Sequence, residues 1–246
     1  MDNLILSFNV VAPLCLVMAL GYFLKYIKMF DENSLNVMNN VAFKVFLPTL
    51  LFYNVYSTNL GKVLDVNLMI FAAVSVLALF IATYLFVPII EKDNKKRGVM
   101  IQGIFRSNFV LFGIPVVTSL AGEGNVGTTA LLIAIVVPTF NVLAVICLET
   151  FRGGKINIKK IIHGILTNPL IIAAFLGLIC LILNIKLPTA IESSVKDISK
   201  IATPLSLVLL GASFSFSHVK KYLRETIIVV IAKLIVVPLI FLGISY

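Results

Sequence analysis

The sequence predicts an all-α polytopic membrane protein made of inverted five-helix repeats, the second repeat incomplete, with about eight transmembrane helices present. Three observations predict it. First, 60% of the 246 residues are hydrophobic, only 13% are charged, and the mean hydropathy is +1.07. A soluble domain has one interior to fill and could not hide so much apolar surface. Second, the apolar residues fall in runs of about 20, the length a helix needs to cross roughly 30 Å of hydrocarbon. Third, at an offset of 156 residues the chain repeats its helix breakers: Pro13 falls on Pro169, Gly21 on Gly177 and Pro48 on Pro204. The same offset pairs Lys44 with Lys200, each four residues before its proline. Apolar identities are cheap in such a chain, whereas matched prolines, glycines and an intramembrane lysine are not. Internal duplication of this kind marks secondary transporters.

The expected spans run Leu4 to Phe23, Leu35 to Tyr56, Leu68 to Ile90, Val99 to Ala121, Thr128 to Leu148, Ile161 to Ile185, Ile191 to Phe216 and Thr226 to Ser245. The first has neither a basic leader nor a small-residue cleavage site, so it reads as a retained helix and not a signal peptide. Residues 1–150 form the first five-helix repeat, with its fourth helix broken, and residues 151–246 a partial second repeat of three helices. Five spans precede the second Pro/Gly pattern, an odd number, so the second repeat enters from the opposite side. Phe86-Val87-Pro88-Ile89-Ile90 recurs as Val236-Val237-Pro238-Leu239-Ile240 at an offset of 150. The counterpart of the fourth helix would fall beyond Tyr246, and the sequence is therefore expected to be part of a longer chain.

A net charge of +9 would suggest nucleic acid in a soluble protein, but here the distribution is topological. With the amino terminus outside, thirteen of the twenty basic residues face the cytoplasm and three face out, while Lys44, Arg106, Lys200 and Lys233 lie within the spans. The positive-inside rule therefore expects a multi-pass protein of the cell (inner) membrane with an external amino terminus. Its partners are the lipid bilayer, whose anionic headgroups attract basic loops by about 1 kcal/mol per residue, and not nucleic acid.

No cofactor or metal is expected. Cys15, Cys147 and Cys180 have no C-x-x-C or Cys/His spacing and read as packing residues. His163 and His218 sit among basic residues at the cytoplasmic boundary, and no nucleophile cluster or phosphate loop can be assembled, so the chain does not read as an enzyme. The eleven acidic residues are expected in loops or at helix ends, leaving only cations and amides inside the membrane. That distribution gives no proton relay or sodium cage and suits an anion path.

The chemistry concentrates in the fourth span, Arg106-Ser107-Asn108-Phe109-Val110-Leu111-Phe112-Gly113-Ile114-Pro115. Proline removes a backbone donor and clashes with the preceding turn, so the helix should break between Gly113 and Pro115 and restart at the proline. The freed carbonyls and the positive end of the second half-helix would then meet near the midplane. Asn108 lies seven residues before Pro115, two turns along one face, and serves either a ligand at the break or an interhelical hydrogen bond in a structural kink. Lys44, Arg106 and Lys233 are the candidate counter-charges. Snorkelling competes with that role, because Arg106 and Lys233 each lie nine residues past a cytoplasmic arginine, Arg97 and Arg224.

The run Asn108 to Pro115, the downstream Val136-Val137-Pro138-Thr139-Phe140-Asn141, Thr167-Asn168-Pro169-Leu170, and Pro204-Leu205-Ser206-Leu207 followed by Leu210-Gly211 resemble the auxin efflux carrier family of transporters. The resemblance spans nearly the whole chain and implies ten helices in two inverted repeats, with broken helices four and nine crossing at the substrate site. It implies carriage of a small organic anion, since the family includes auxin exporters and carriers assigned to malate or malonate. By that similarity Asn108, Gly113 and Pro115 fall on the first crossover and Asn141 on the adjoining helix; Arg106 and Lys44 join them as candidate substrate-binding cations. The expected function is thus a secondary transporter of a dicarboxylate or auxin-like carboxylate working by alternating access, with a homodimer as its candidate assembly. A bile-acid/sodium-symporter-like carrier is the alternative within transport, and a non-transporting membrane scaffold or sensor the alternative outside it.

The topology is directly measurable. Cysteines introduced at Lys95 and Glu123 and probed with an impermeant label on intact cells should be marked at Glu123 alone. Marking at Lys95 alone would invert the orientation.

Overall fold

The computed structural model describes residues 2–57, 66–107, 126–151 and 158–245, and these are helical apart from short connections, with no strand among them. In chain order the helices are α1 (Asp2–Tyr26), α2 (Glu32–Tyr56), α3 (Val66–Ile90), α4 (Asn94–Phe105), α5 (Val126–Phe151), α6 (Ile158–Leu166), α7 (Pro169–Ile182), α8 (Thr189–Ser213), α9 (Phe216–Lys221) and α10. The last, α10, comprises Leu223–Ile231, a π-helical turn Ala232–Val236, and Val237–Ser245. Glu32–Tyr56, Asn67–Ile90 and Leu223–Gly243 are each long and apolar enough to cross a membrane. Phe8, Leu16, Leu85, Phe86 and Ile89 are all more than half exposed, the pattern of a surface whose solvent is lipid.

Two of the expected spans are revised. The run Ile161 to Ile185 is two helices, α6 and α7, because Pro169 cannot continue α6 and Asn168 instead caps α7, accepting from the Leu170 N–H at 2.9 Å. The helix that opens the fourth span ends at Phe105, with Arg106 already extended; the expected break at Gly113 to Pro115, and Asn108 with it, lies outside the described residues.

Two helices, α2 and α10, each contain a π-helical turn immediately ahead of a proline. Leu47 donates to the Ala42 carbonyl and Val237 to the Ala232 carbonyl, both five residues back, and Pro48 and Pro238 follow directly. Proline offers no N–H to the carbonyl four residues earlier, and widening the turn by one residue lets the helix continue past it.

The described residues form two compact units. One holds α1, α2, α7 and α8; the other holds α3, α4, α6, α9 and α10; α5 divides between them after Pro138. Each unit thus draws on both sequence halves.

Inside the first unit the duplication extends to backbone detail. The only non-glycine residues with positive φ among those described are Lys28 (60°) and Asn184 (53°), separated by the repeat offset of 156. Each follows a helix end closed in the same way. Met29 donates to Leu24 at 3.0 Å and Lys28 to Lys25 at 2.9 Å; Ile185 donates to Cys180 at 2.8 Å and Asn184 to Leu181 at 3.3 Å. These are the paired bonds of a helix terminus turned through a left-handed residue.

The packing repeats with the partners exchanged. A Cβ at Gly21 of α1 would lie 2.0 Å from the Val208 carbonyl oxygen of α8, and a Cβ at Gly177 of α7 would lie 2.9 Å from the Phe52 carbonyl oxygen of α2. Shifting each residue by the offset turns the first pair into the second. Gly211 does the same against Met18, at 1.9 Å, where the equivalent pair Val55 and Ala174 shares a buried cluster. Small residues that let backbones touch are the usual means of joining helices in lipid, where apolar side chains gain nothing by meeting each other.

The second unit is held by aromatic side chains and polar caps. Phe105 of α4 packs edge-on to Phe80 of α3, centroids 5.1 Å apart, and against Phe140 of α5 at 5.9 Å; Tyr84 meets Phe151 at 5.3 Å. At the start of α4, Arg97 donates to the carbonyls of Glu91 at 2.6 Å and Pro88 at 3.2 Å, closing the end of α3.

The glycine crossing generates a test. Gly211→Leu must displace backbone and not a side chain, so its cost should reach or exceed the upper end of roughly 1–3 kcal/mol for overpacking. Thermal unfolding of the purified protein should show a large loss for Gly211→Leu and little for Gly243→Ala, whose added methyl meets nothing within 4 Å. Equal melting of the two variants would contradict the crossing.

Candidate functional site

The site is built at the end of α4. Asp93 caps the helix by accepting from the Lys95 N–H at 2.8 Å, and Gly98, Met100, Ile101, Ile104 and Phe105 form its buried face. The last helical residue is Phe105. Arg106 turns to an extended backbone (φ −82°, ψ 118°), though its N–H still bonds to the Gln102 carbonyl at 3.1 Å. Ser and Asn compete with the helix ladder through their own short side chains, and Ser107-Asn108 follows at once.

The extended backbone directs Arg106 to α5. Its guanidinium donates to Oδ1 of Asn141 at 3.0 Å, and Asn141 is 4% exposed. Back along the same pair of helices toward the start of α4, the Gln102 amide donates to the Ala144 carbonyl at 3.4 Å, and the Cys147 thiol donates to the Gly98 carbonyl at 3.5 Å.

On the other side of α4 stands α10, running in the same direction. Lys96 pairs with Glu225 and lies 5.4 Å above the Tyr222 ring; Val229 fills the space left by Gly103, where a Cβ would come within 2.7 Å of its Cγ1. The hydrogen bond that Lys96 donates to the Glu225 carboxylate raises the pKa of Lys96 above the ordinary lysine value. At the far end, Lys233 donates to the carbonyl oxygens of Gly103 at 3.1 Å and Arg106 at 2.5 Å.

Arg106, Asn141 and Lys233 lie at similar distances along their helices. Arg106 is the thirteenth residue from the start of α4, Asn141 is ten residues before the end of α5, and Lys233 is ten after the start of α10. At about 1.5 Å per residue these are roughly 15–18 Å from their helix ends, about half of the roughly 30 Å that a hydrocarbon layer measures. Beside them is a cavity of about 270 Å³, with Ser75, Ser107 and Lys233 as its polar wall and Phe105, Phe140 and Phe241 among its apolar residues.

Of the residues expected at the site, Arg106 and Asn141 are brought into contact, while Asn108, Gly113 and Pro115 lie outside the described residues. Lys44 belongs to the other compact unit, in the π-helical turn of α2, where it is exposed. One expectation is corrected: the acidic residues are not confined to loops and helix ends, since Asp197 lies within α8 and pairs with Lys200 one turn later at 2.8 Å. The polar ends of Arg106 and Lys233 meet Asn141 and the α4 carbonyls. The contact that sequence reasoning missed is the capping of α4 by Lys233.

The chain matches the model of a family described as membrane transport protein over residues 6–246. It is 27% identical over 243 residues to an uncharacterized transporter of Methanocaldococcus jannaschii, covering 94% of this chain and 76% of that protein. It is also similar to an uncharacterized transporter of Methanothermobacter thermautotrophicus, 26% identical over 255 residues and covering 98% and 78% of the two chains.

Removing Asn141 should expose the cost of leaving the Arg106 guanidinium without this acceptor. Asn141→Leu leaves Arg106 without its acceptor, which at roughly 1.5–3 kcal/mol for a hydrogen bond to a charged group should lower the Tm by several degrees. Asn141→Asp keeps an acceptor and should melt well above Asn141→Leu. Identical Tm values for Asn141→Leu and the wild type would show that the contact contributes nothing.

Proposed function

The chain belongs to the auxin efflux carrier family of membrane transport proteins, and from that premise we propose that it carries a small organic anion by alternating access, with Arg106 as the principal anion contact. It is a membrane-embedded transporter. What supports an anion is the charge at mid-depth. Arg106 and Lys233 are two cations within one small region, and the groups that meet them, the Asn141 amide and two backbone carbonyls, are neutral.

A cation at the bilayer centre costs at least about 2.5–3.5 kcal/mol on insertion scales. A neutral acceptor offsets part of that and leaves the charge itself unbalanced. A carboxylate entering beside Ser107 would complete the balance, with the guanidinium supplying up to two parallel N–H donors to it. The same balance makes the site selective, because a cationic solute would add a third positive charge to two already fixed.

Asn108, Gly113 and Pro115 complete this reading through the family resemblance, forming the crossover that follows Ser107. Lys44, one turn before Pro48, is read as a second basic contact in the first unit. Inverted repeats provide the means of exchange, since two related arrangements of the same helices open a central site to opposite faces in turn. In this reading the amino terminus lies outside and the basic loops line the cytoplasmic face of the inner membrane.

The experiment is uptake into proteoliposomes of labelled malonate and labelled indole-3-acetate, as representative small carboxylates. Arg106→Gln should weaken binding tenfold to a hundredfold, the equivalent of roughly 1.5–3 kcal/mol for a charge-assisted hydrogen bond. Binding within twofold of the wild type, or preference for a cationic solute, would overturn the anion reading. Uptake that requires sodium would move the protein toward the symporter alternative.

A further inference from the structure

We infer that Lys233 is a positioning residue for the carrier: its ammonium holds the end of α4 in place and so presents Arg106 to Asn141. The inference rests on the anion reading only for its consequence in binding; the cap itself stands on geometry.

Where α4 stops, its final carbonyls lose their partners in the next turn. In hydrocarbon such groups cannot turn to water and must be satisfied by protein. Two of the oxygens at this terminus, those of Gly103 and Arg106, are satisfied by a single ammonium. A cation also suits the negative end of a helix dipole. Lysine can serve both oxygens because its ammonium has three donors on one point charge.

Contacts along α10 deliver the ammonium. Glu225, Val229 and Lys233 recur every four residues and so share one helix face. They meet Lys96, Gly103 and the Gly103 and Arg106 carbonyls in that order along α4. Gly103 is essential to the approach, since any side chain there would collide with Val229. From Lys233 onward the same helix also faces a cavity, which Lys233, Leu234, Val237 and Phe241 line together with Ser75, Val76 and Leu79 of α3. One helix thus serves two neighbours, and Lys233 stands where the two contacts meet.

Arg106 is the residue that bonds in both directions. Its carbonyl accepts from Lys233 while its guanidinium donates to Asn141. Fixing the carbonyl fixes the peptide plane and, with it, the direction from which the guanidinium leaves the backbone. Lys233 therefore acts on the anion contact through Arg106, in addition to any direct field from its charge.

The test uses the whole chain in lipid nanodiscs, with Lys233→Met, Lys233→Arg, Arg106→Gln and the double variant Lys233→Met/Arg106→Gln. Amide hydrogen exchange over residues 103–107 reads the cap without reference to any ligand. It should accelerate at least tenfold in Lys233→Met and return to within threefold of the wild type in Lys233→Arg. Unchanged exchange in Lys233→Met would overturn the inference. Binding of a panel of acetate, malonate, malate and indole-3-acetate reads the consequence. Lys233→Met should weaken whichever of these binds by about tenfold in the wild-type background and by less than twofold in the Arg106→Gln background, because coupled residues are not additive. A full tenfold loss in both backgrounds would overturn action through Arg106. If the wild type binds none of the panel, the anion reading fails on its own, and hydrogen exchange still decides the cap.

Discussion

The carbonyl oxygens at the end of α4 are the constraint on which the second unit depends. A helix that stops within a membrane leaves acceptors where no water can reach them, and each unsatisfied group costs several kcal/mol. Here an ammonium from the neighbouring helix satisfies two of them. That solution dictates much else. It requires α10 to run close to α4, which needs Gly103; it requires a lysine at mid-depth, which needs an adjacent acceptor to offset its burial; and it sets Arg106 against a buried amide. Two cations brought together at mid-helix are the by-product of solving a backbone problem. The proposed anion carrier is a function that would make use of them.

The first unit is organised by a different rule. Its helices meet through glycine and backbone oxygen, at distances where no Cβ could be accommodated, and the contacts of one repeat recur in the other with partners exchanged. Even the left-handed residues that end α1 and α7 coincide at the repeat offset. Such closely matched packing leaves little room for substitution, since backbone-to-backbone contact has no side-chain freedom to take up strain. The second unit is organised around the end of α4 and the cavity beside it.

The helical fold and the duplication were legible because the bilayer enforces both. Runs of about 20 apolar residues have no other stable use, and breakers such as Pro13 and Pro169 act through covalent geometry that context does not override. The end of α4 was not legible to the residue. Gly113 and Pro115 are strong punctuation and drew attention, whereas Ser107 and Asn108 disfavour helix by only a fraction of a kcal/mol each, a preference that tertiary contacts can decide either way. The meeting of Arg106 with Asn141 was half visible, since both were singled out but their spacing of 35 residues carries no geometry without the register of α4 on α5. Lys233 was seen as a charge within the last span and its partner was missed, because a backbone carbonyl on another helix leaves no trace in composition. The expectation that acidic residues keep to loops and helix ends failed for a simpler reason: Asp197 stands three residues before Lys200 on the same helix face, well within reach of a lysine.

The central claim is that the protein recognises the negative charge of its solute. The most direct measurement compares uptake of a labelled carboxylate and its uncharged amide analogue into proteoliposomes under an imposed membrane potential. The account predicts that the carboxylate is carried, that an inside-positive potential accelerates its entry, and that the amide is not carried above protein-free vesicles. Equal protein-dependent uptake of the two solutes, indifferent to potential, would contradict it.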